Sequence, residues 1–323
     1  DRPVALYVSS IGNFFFRELA ELCAIGLREA GYAVQVRTEL DAKPVNGESA
    51  LVMAPHEFYC LGGGIHLAEH PAFFGSIPIG TEQWQTQWFA RALPFMLRAE
   101  QLLDINLQSA DAFVRLGKQC RYLALGYSPD APPSSVNVIT ARDRPVLRLK
   151  HVNRDALSAT GRPLKERPLD VLFAGTWTAR RSEILTELAP VLAQHNCFVH
   201  LTDVSAPLRG MDEVDGELFA LLARNSKVLL NVHRSEMPYF EWHRMVLYGS
   251  WQRSVVITET SFDVPFLRNG EHYVGVKTKD LGAAIADVLA AIRRDDPAPQ
   301  QMVDAGWETL TQRLALRDCM LKI

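Results

Sequence analysis

The sequence lacks the signatures of secreted, zinc-binding and membrane-spanning proteins. Its five cysteines contain no C-x-x-C pair, which favours reduced thiols over a disulfide or zinc framework. No apolar run approaches the roughly 18 residues of a membrane span, and the N-terminus lacks a signal-peptide pattern. We expect a cytoplasmic protein without a transmembrane segment, with peripheral attachment to the inner membrane left open. The chain begins at Asp1 rather than at methionine, so we expect residues upstream to be missing.

A strong net charge and several nucleotide-binding motifs are also missing. The net charge is only -3, so no nucleic-acid partner is expected. Neither half has G-x-G-x-x-G after its first strand, and G-x-x-x-x-G-K-[ST] and G-x-S-x-G do not occur. These absences argue against a dinucleotide enzyme, a P-loop nucleotidase and an α/β-hydrolase. The sequence has no D-x-D either, which weakens any mechanism that uses a carboxylate-held divalent ion.

One metal-binding spacing is present. His66, Glu69 and His70 spell H-x-x-E-H, which binds zinc when it lies on a stable helix. The motif follows three glycines and precedes Pro71, which is a poor setting for such a helix. We interpret it as a partly exposed loop and predict no bound metal.

Short apolar runs alternate with helical patterns along the whole chain, which at 323 residues has room for two domains. This rhythm predicts parallel sheets, and therefore an α/β protein of two Rossmann-like domains facing each other across a cleft. A proline-rich stretch begins at Ser128, where we expect a linker or an exposed loop. We place the domain boundary in the polar, basic stretch from Lys150 to Pro168. The predicted divisions are a first α/β domain over 1–150, a second α/β domain over 151–300, and a helix over 301–323 that packs back on the first domain.

The run DVLFAG leads into a predicted anion site. A buried parallel strand that ends in glycine and runs into a helix presents backbone N–H groups and the positive end of the helix dipole. Arginine side chains there make the site better suited to a diphosphate than to a carboxylate. The residues that we assign to this turn are Gly175, Thr176, Arg180 and Arg181.

Further candidates lie at the ends of two later strands. Glu241 and Arg244 are three residues apart on a predicted helix and therefore project from the same side. Glu259 ends the strand SVVITE, where a carboxylate accepts hydrogen bonds from a ribose diol in dinucleotide folds. His233 leaves the strand KVLLNV at the same edge and is suited to contact a phosphate or a sugar hydroxyl. The alternative is a surface pair of Glu241 and Arg244 and a strand-end histidine of no functional role.

At these residues the chain resembles a known family. The runs FAGTWTARRSEIL, NVHRSEMPYFEWHRMVL and VVITE resemble the nucleotide-binding half of GT-B fold glycosyltransferases, most closely bacterial group-1-like and CgeB-like proteins. IPIGTEQWQTQWF and LLDINLQSADAFVRLG resemble the first half of that group. The resemblance implies a metal-independent hexosyltransferase without a cofactor, which takes a UDP-, GDP- or dTDP-sugar as its donor. Its acceptor, whether a glycan, a lipid, a protein or a small molecule, is unknown.

The resemblance also implies roles for the residues named above. Gly175, Thr176, Arg180 and Arg181 would contact the donor diphosphate, Glu259 the ribose, and Glu241 and Arg244 the phosphates or the donor sugar. The chain departs from the E-x7-E pattern of retaining members, because Arg244 stands eight residues after Glu236 and Gly249 stands eight after Glu241. The sequence therefore leaves open whether the reaction retains or inverts.

An inverting reaction needs a base in the first domain to take the acceptor proton. His56 and Glu57 follow the third predicted strand, Glu82 follows the fourth, and Asn13 stands at the first strand-helix turn. We predict His56, Glu57 and Glu82 as the catalytic candidates and Asn13 as an acceptor-side residue, against the alternative that each lies in a solvated loop. Two other functions stay open for the chain, namely a nucleotide-sugar epimerase of the same fold and a non-catalytic nucleotide-sugar-binding protein.

Overall fold

The computed structural model describes residues 2–150, 152–202 and 214–321, which form two compact units. The first unit comprises Asp1–Ser128 and Leu314–Ile323, and the second comprises Pro129–Arg313. The division at Ser128 and Pro129 lies earlier in the chain than the boundary expected at residue 150.

The first unit contains a parallel sheet of six strands in the order β2-β1-β3-β4-β5-β6. This confirms the parallel α/β architecture expected for the first half. Because all the strands run in the same direction, their carboxyl ends lie along one edge of the sheet. The strands are β1 (Arg2–Tyr7), β2 (Tyr32–Arg37), β3 (Ser49–Met53), β4 (Ile77–Gly80), β5 (Gln101–Asp104) and β6 (Gln119–Tyr122).

Helices cover both faces of this sheet, as crossover connections between parallel strands require. An aromatic cluster that includes Tyr7, Phe58 and Phe73 forms one part of the core, and Phe89, Met96 and Phe113 belong to a second cluster. The helices are α1 (Phe14–Glu29), α2 (Pro55–Phe58), α3 (Gln87–Arg98) and α4 (Leu107–Arg115), with 3-10 turns over Gly62–Leu67 and Pro71–Phe73.

Of the H-x-x-E-H motif, His66 lies in the first of these 3-10 turns and Glu69 and His70 lie between the two turns, so the motif is not on an α-helix. The ring Nδ1 of His70 accepts the Ala72 N–H, and Glu69 forms an ion pair with Arg98 at 2.8 Å. Within the described residues, no group of three or more His, Cys, Asp or Glu side chains is placed to hold a metal ion.

The second unit contains a parallel sheet of five strands in the order β11-β10-β9-β7-β8. β7 and β10 were predicted within one or two residues, because continuous apolar runs mark strands that are buried on both faces. The strands are β7 (Leu169–Thr176), β8 (Cys197–Thr202), β9 (Ser226–Asn231), β10 (Val255–Glu259) and β11 (Val274–Val276).

The helices of the second unit include two departures from the prediction. The proline-rich segment that we interpreted as a linker contains α5 (Val138–Arg142) and α6 (Pro145–Leu149) and belongs to this unit. The helix predicted near residues 240–248 is a π-helix, His243–Ser250. The remaining helices are α7 (Ala179–Leu192), α8 (Gly216–Arg224), α9 (Leu281–Arg293) and α10 (Ala298–Arg313), with 3-10 turns over Pro132–Ser134, Arg154–Ala156, Leu164–Glu166 and Thr278–Asp280.

The C-terminal segment divides between the two units. α10 belongs to the second unit, whereas α11 (Leu316–Met320) packs against α1 of the first unit. The Leu316 side chain lies so close to Gly26 of α1 that a Cβ there would stand 2.7 Å from its Cγ. Across the described part of the chain, no helix combines the length and the apolar character that crossing a membrane requires.

Candidate functional site

The turn from β7 into α7 places two arginines at a helix N-terminus. The Thr178 side chain caps α7 by accepting the Arg181 N–H at 3.1 Å. A cation in the first helical turn is disfavoured by about 0.3–1 kcal/mol because it faces the positive end of the helix dipole. Arg180 is held there by Glu259 at the end of β10, and Arg181 by Glu241, which lies two residues before the π-helix.

Gly175 makes room for guanidinium groups above the last turn of β7. A Cβ at this position would stand 2.5 Å from Nη2 of Arg244 and 3.1 Å from Nη1 of Arg181. The first distance is shorter than side chains tolerate, and therefore only glycine lets both groups approach the strand this closely. This steric need explains the glycine that ends the apolar run.

Arg181, Glu241 and Arg244 form a buried ionic cluster, which we call the arginine cluster. Oε1 of Glu241 lies 3.0 Å from Nε of Arg244 and 3.4 Å from Nη2 of Arg181, and each of the three side chains is at most 6% exposed. Burial acts to raise the pKa of Glu241, but the two guanidinium groups lower it to about 2. With one carboxylate against two guanidinium groups, the arginine cluster carries a net positive charge.

The backbone holds the arginine cluster in position. Arg181 donates from Nε to the Val232 carbonyl at 2.9 Å and from Nη1 to the Thr176 carbonyl at 3.2 Å. Arg244 donates from Nη1 to the Ala174 carbonyl. These bonds tie both guanidinium groups to the carboxyl ends of β7 and β9, so their positions are set before any ligand arrives. The surface-pair alternative for Glu241 and Arg244 is therefore wrong.

Glu241 and His233 each have one buried atom without a hydrogen-bond partner in the described part of the chain. Oε2 of Glu241 is buried and makes no hydrogen bond, although Oε1 accepts from both arginines. Nε2 of His233 is likewise buried and unpaired, while the His233 ring stacks on Tyr239 with centroids 5.2 Å apart. Burial lowers the pKa of His233, so its imidazole is neutral near pH 7.

A second carboxylate, Glu259, accepts four hydrogen bonds at the end of β10. Arg180 donates to both oxygens at 2.9 and 2.6 Å, the His233 N–H donates to Oε2 at 2.7 Å, and Oγ1 of Thr278 donates to Oε1 at 2.5 Å. A carboxylate has about four acceptor positions. Glu259 lies at the strand end as predicted, but a ribose contact would require some of these donors to leave.

Thr278 and Trp177 lie at this site but were not predicted from the sequence. Thr278 follows β11 in a 3-10 turn, and its role is visible only because β11 lies beside β10. Trp177 stands between the end of β7 and the cap of α7 and is 52% exposed. A tryptophan directly after a strand end with glycine and before two arginines is the sequence signal that could have identified Trp177.

The candidates of the first unit also lie at the carboxyl ends of the strands. Asn13 caps α1 with Oδ1, which accepts the Phe15 N–H at 3.1 Å, and its own N–H donates to Oε2 of Glu57 at 2.7 Å. Burial raises the pKa of Glu57 more than the Asn13 N–H lowers it. The structure thus brings Asn13 and Glu57 into direct contact.

His56 is buried rather than solvated. It is 3% exposed, lies edge-on to Phe16 and has Nε2 3.5 Å from Oε1 of Glu82. Burial, with a smaller contribution from Arg91, lowers the pKa of His56 to about 4, so the ring is neutral near pH 7. The alternative of a solvated loop residue is wrong for His56.

Comparison with known proteins gives a match in structure but none in sequence. No protein-family model and no curated protein matches the sequence. The structure is similar to that of HepE from Anabaena in complex with UDP-glucose, with a TM-score of 0.58 and 9% identity over 99% of this chain and 97% of that chain. It is also similar to sucrose-phosphate synthase from Thermosynechococcus elongatus, with a TM-score of 0.55 and 14% identity over 100% and 97% of the two chains.

A third similar structure is an alpha-glucosyltransferase in complex with UDP and a 13-mer DNA. Its TM-score is 0.58 at 8% identity over 99% of this chain and 98% of that chain. The matches cover nearly all of this chain and nearly all of each of the other chains. The similarity in fold therefore includes both units, in the same order along the chain. At such low identity the likeness concerns the fold.

Proposed function

We propose that this chain, which has the GT-B fold, is a glycosyltransferase of the hexosyltransferase type. It moves a sugar from a nucleoside-diphosphate sugar to an acceptor hydroxyl. The observation that carries this proposal is the net positive charge of the arginine cluster, buried where β7 runs into α7. The proposal is supported by the UDP and UDP-glucose bound to structures of the same fold.

The arginine cluster suits the leaving group of such a reaction. Negative charge develops on the nucleoside diphosphate as the glycosidic bond breaks, and fixed positive groups in a buried site stabilise that charge. The N-terminus of α7 adds the dipole of a 14-residue helix. In this proposal the guanidinium groups and the dipole neutralise the diphosphate without a bound metal ion.

Glu57 is the candidate base whose chemistry fits an acceptor proton best. A general base works well when its pKa lies near the working pH, and burial moves the pKa of Glu57 upward. The Asn13 N–H fixes Oε2 and leaves Oε1 for a substrate. His56 is a weaker base because its pKa is about 4, and Glu82 lies beside its ring.

A thermal-shift series tests the donor site. UDP, GDP and dTDP are compared with UMP and uridine, and a diphosphate present at a hundred times its dissociation constant should add about 2.7 kcal/mol of stability. Arg180→Ala should remove a large part of this shift, because Arg180 is the partly exposed arginine of the turn. Arg181 and Arg244 are unsuitable targets, because they also hold backbone carbonyls. Arg268→Ala is the matched control, since its guanidinium is exposed and paired only with Glu271 in the described contacts.

Product analysis then separates the possible functions. Slow hydrolysis of a nucleotide sugar supports the transferase, and Glu57→Gln should slow transfer while the UDP shift persists. Isomerisation of the donor sugar would instead identify an epimerase. Binding of UDP without turnover of any donor would identify a binding protein. A diphosphate shift no larger than that of uridine would refute the donor site itself.

A further inference from the structure

The carboxyl ends of β4 and β5 carry polar side chains that none of the roles above uses. They are Gln83, Asp104 and Asn106, which we call the β4–β5 polar cluster. Gln83 is 5% exposed, Asp104 1% and Asn106 8%. Buried side chains of this kind normally form hydrogen bonds, because leaving one unpaired costs about 1–3 kcal/mol.

Four polar atoms of the cluster have no hydrogen-bond partner among the residues that the structure describes. They are Oε1 and Nε2 of Gln83, Oδ2 of Asp104 and Nδ2 of Asn106. Asn106 occupies the N-cap position of α4 without capping it with its side chain, although asparagine is among the best capping residues. So many unpaired atoms at one sheet edge indicate a site that is complete only when a polar ligand is bound.

The fold brings these residues together. Gly80 pairs with Asp104 between β4 and β5, and the Asp104 carboxyl fills the space that a Cβ of Gly80 would take. The Asn106 N–H donates to Oδ1 of Asp104 at 2.7 Å. On either side of Gln83, Trp84 donates its N–H to Ser109 of α4 at 2.9 Å, and Ser109 donates to the Glu82 carbonyl at 2.9 Å.

The charges around the cluster select the class of ligand. Burial and, to a smaller extent, the nearby Glu82 hold the pKa of the Asp104 carboxyl well above its usual range, although the hydrogen bond from the Asn106 N–H opposes this shift. The neighbouring His56 is neutral, and Glu82 and Glu57 are acidic. Among the described residues no cation acts on the Asp104 carboxyl, although Arg91 acts on His56, and two amides and a carboxyl group match hydroxyl groups, which both donate and accept.

We propose that the β4–β5 polar cluster binds an uncharged, hydroxyl-rich ring of the acceptor. This inference rests on the proposed transferase function for its biological meaning, but the binding itself can be measured without turnover. It makes the acceptor a neutral sugar or a similar polyol rather than an anionic one, and it adds three positioning residues to a unit in which only Asn13, His56, Glu57 and Glu82 were candidates.

Saturation-transfer NMR on the full chain tests the proposal. The probes are the methyl glycosides of glucose, galactose and mannose, each with and without UDP, and methyl glucuronide as the anionic counterpart. At least one neutral glycoside should show saturation transfer, and glucuronide should show at least ten-fold less. Asn106→Asp and Gln83→Ala should each reduce the neutral signal at least ten-fold. Asp is as good an N-cap as Asn, so the first variant keeps α4.

The matched control is Asn137→Asp, because Asn137 caps α5 in the second unit; this variant should leave the signal unchanged. Equal binding of the glucuronide, or a neutral signal that survives both substitutions, would overturn the proposal. Absence of signal from all three neutral glycosides would overturn it too, and the cluster would then hold water only. The UDP thermal shift is recorded in parallel, so a failed donor site is recognised separately from a failed acceptor site.

Discussion

Replacing Glu241 with glutamine tests the electrostatic design of the arginine cluster. Glutamine has the shape of glutamate and keeps an oxygen to accept from Arg244, but it removes the single negative charge between two guanidinium groups. All three side chains are nearly inaccessible to water, so the two remaining charges are weakly screened. Glu241→Gln therefore leaves two buried positive charges without a counterion.

The cost follows from the burial and from the bonds that remain. Removing one partner of a buried ion pair typically costs 3–5 kcal/mol. Arg181 keeps its bonds to the carbonyls of Val232 and Thr176, and Arg244 keeps its bond to Ala174, which places the expected loss at the low end, about 3 kcal/mol. For a unit of this size that loss corresponds to a Tm decrease of roughly 6–12 °C.

The same substitution should strengthen diphosphate binding. At a separation of roughly 8 Å and an effective dielectric constant of about 20, one unit of charge changes the interaction with an anion by about 2 kcal/mol. We therefore expect UDP to bind Glu241→Gln about 30-fold more tightly than it binds the unaltered chain. Uridine, which has no phosphate, should bind both equally.

Urea unfolding measures the first effect and titration calorimetry with UDP and uridine measures the second. The control is Glu271→Gln, because Glu271 forms an exposed pair with Arg268 and a neutral side chain there should change neither quantity. An unchanged free energy of unfolding would show that the charge of Glu241 does not stabilise the two buried guanidinium groups in solution. Weaker binding of UDP to the variant would refute the assignment of the diphosphate to this cluster.

Three further outcomes are expected. Gly175→Ala should cost about 1–3 kcal/mol in urea unfolding and reduce UDP affinity, because its Cβ would stand 2.5 Å from Nη2 of Arg244; equal affinity would contradict this. The stability of Asp104→Asn relative to the unaltered chain should increase from pH 4.5 to pH 8. The reason is that a carboxyl whose pKa is raised in the folded state contributes less stability as pH rises, by at most about 1.4 kcal/mol per pH unit. A difference in free energy of unfolding that does not change with pH would contradict this. UDP should quench the tryptophan emission of the unaltered chain and quench that of Trp177→Phe much less, because Trp177 is 52% exposed beside the arginine cluster.

The sequence predicted the sheets better than the segments between them. β7, β9 and β10 are buried apolar runs that end at Thr176, Asn231 and Glu259, and such runs have no good alternative to a parallel strand. The GT-B fold expected from the resemblance is confirmed by the similar solved structures. The segment after Ser128 was wrongly interpreted as a linker, because proline counts do not reveal that Asn137 caps a helix and donates to Glu217 of α8.

The site residues were predicted as single positions, not as pairs. Parallel strands place their carboxyl ends at one edge of the sheet. The sequence alone therefore predicts that the glycine and arginines after one strand and the glutamate after another lie at that edge. The ion pair between Arg181 and Glu241 joins residues 60 positions apart, and that between Arg180 and Glu259 joins residues 79 apart. Sequence spacing gives no information on such pairs, because they depend on the lateral order β10-β9-β7, in which β9 lies between the other two.

The π-helix is the clearest case in which local pattern was insufficient. The run from Trp242 to Trp251 has ordinary helical composition, and Glu241 and Arg244 have the i, i+3 spacing of an exposed α-helical pair. In the structure the wider turns of His243–Ser250 begin two residues after Glu241. π-Turns often occur at functional sites, and this one brings Arg244 over Gly175.

Donor binding in the proposed reaction requires an exchange of partners at Glu259. Arg180 and Glu259 are both predicted donor ligands, yet each is bound to the other through two hydrogen bonds. Ribose has two adjacent hydroxyls that supply the same number of donors to the carboxylate, and the diphosphate supplies acceptors for the freed guanidinium. The exchange therefore leaves Glu259 and Arg180 with as many hydrogen bonds as before. A nucleoside without phosphates would displace Arg180 from Glu259 and offer it no new acceptor. On this reasoning the site discriminates for nucleoside diphosphates over nucleosides through the ion pair that already occupies it.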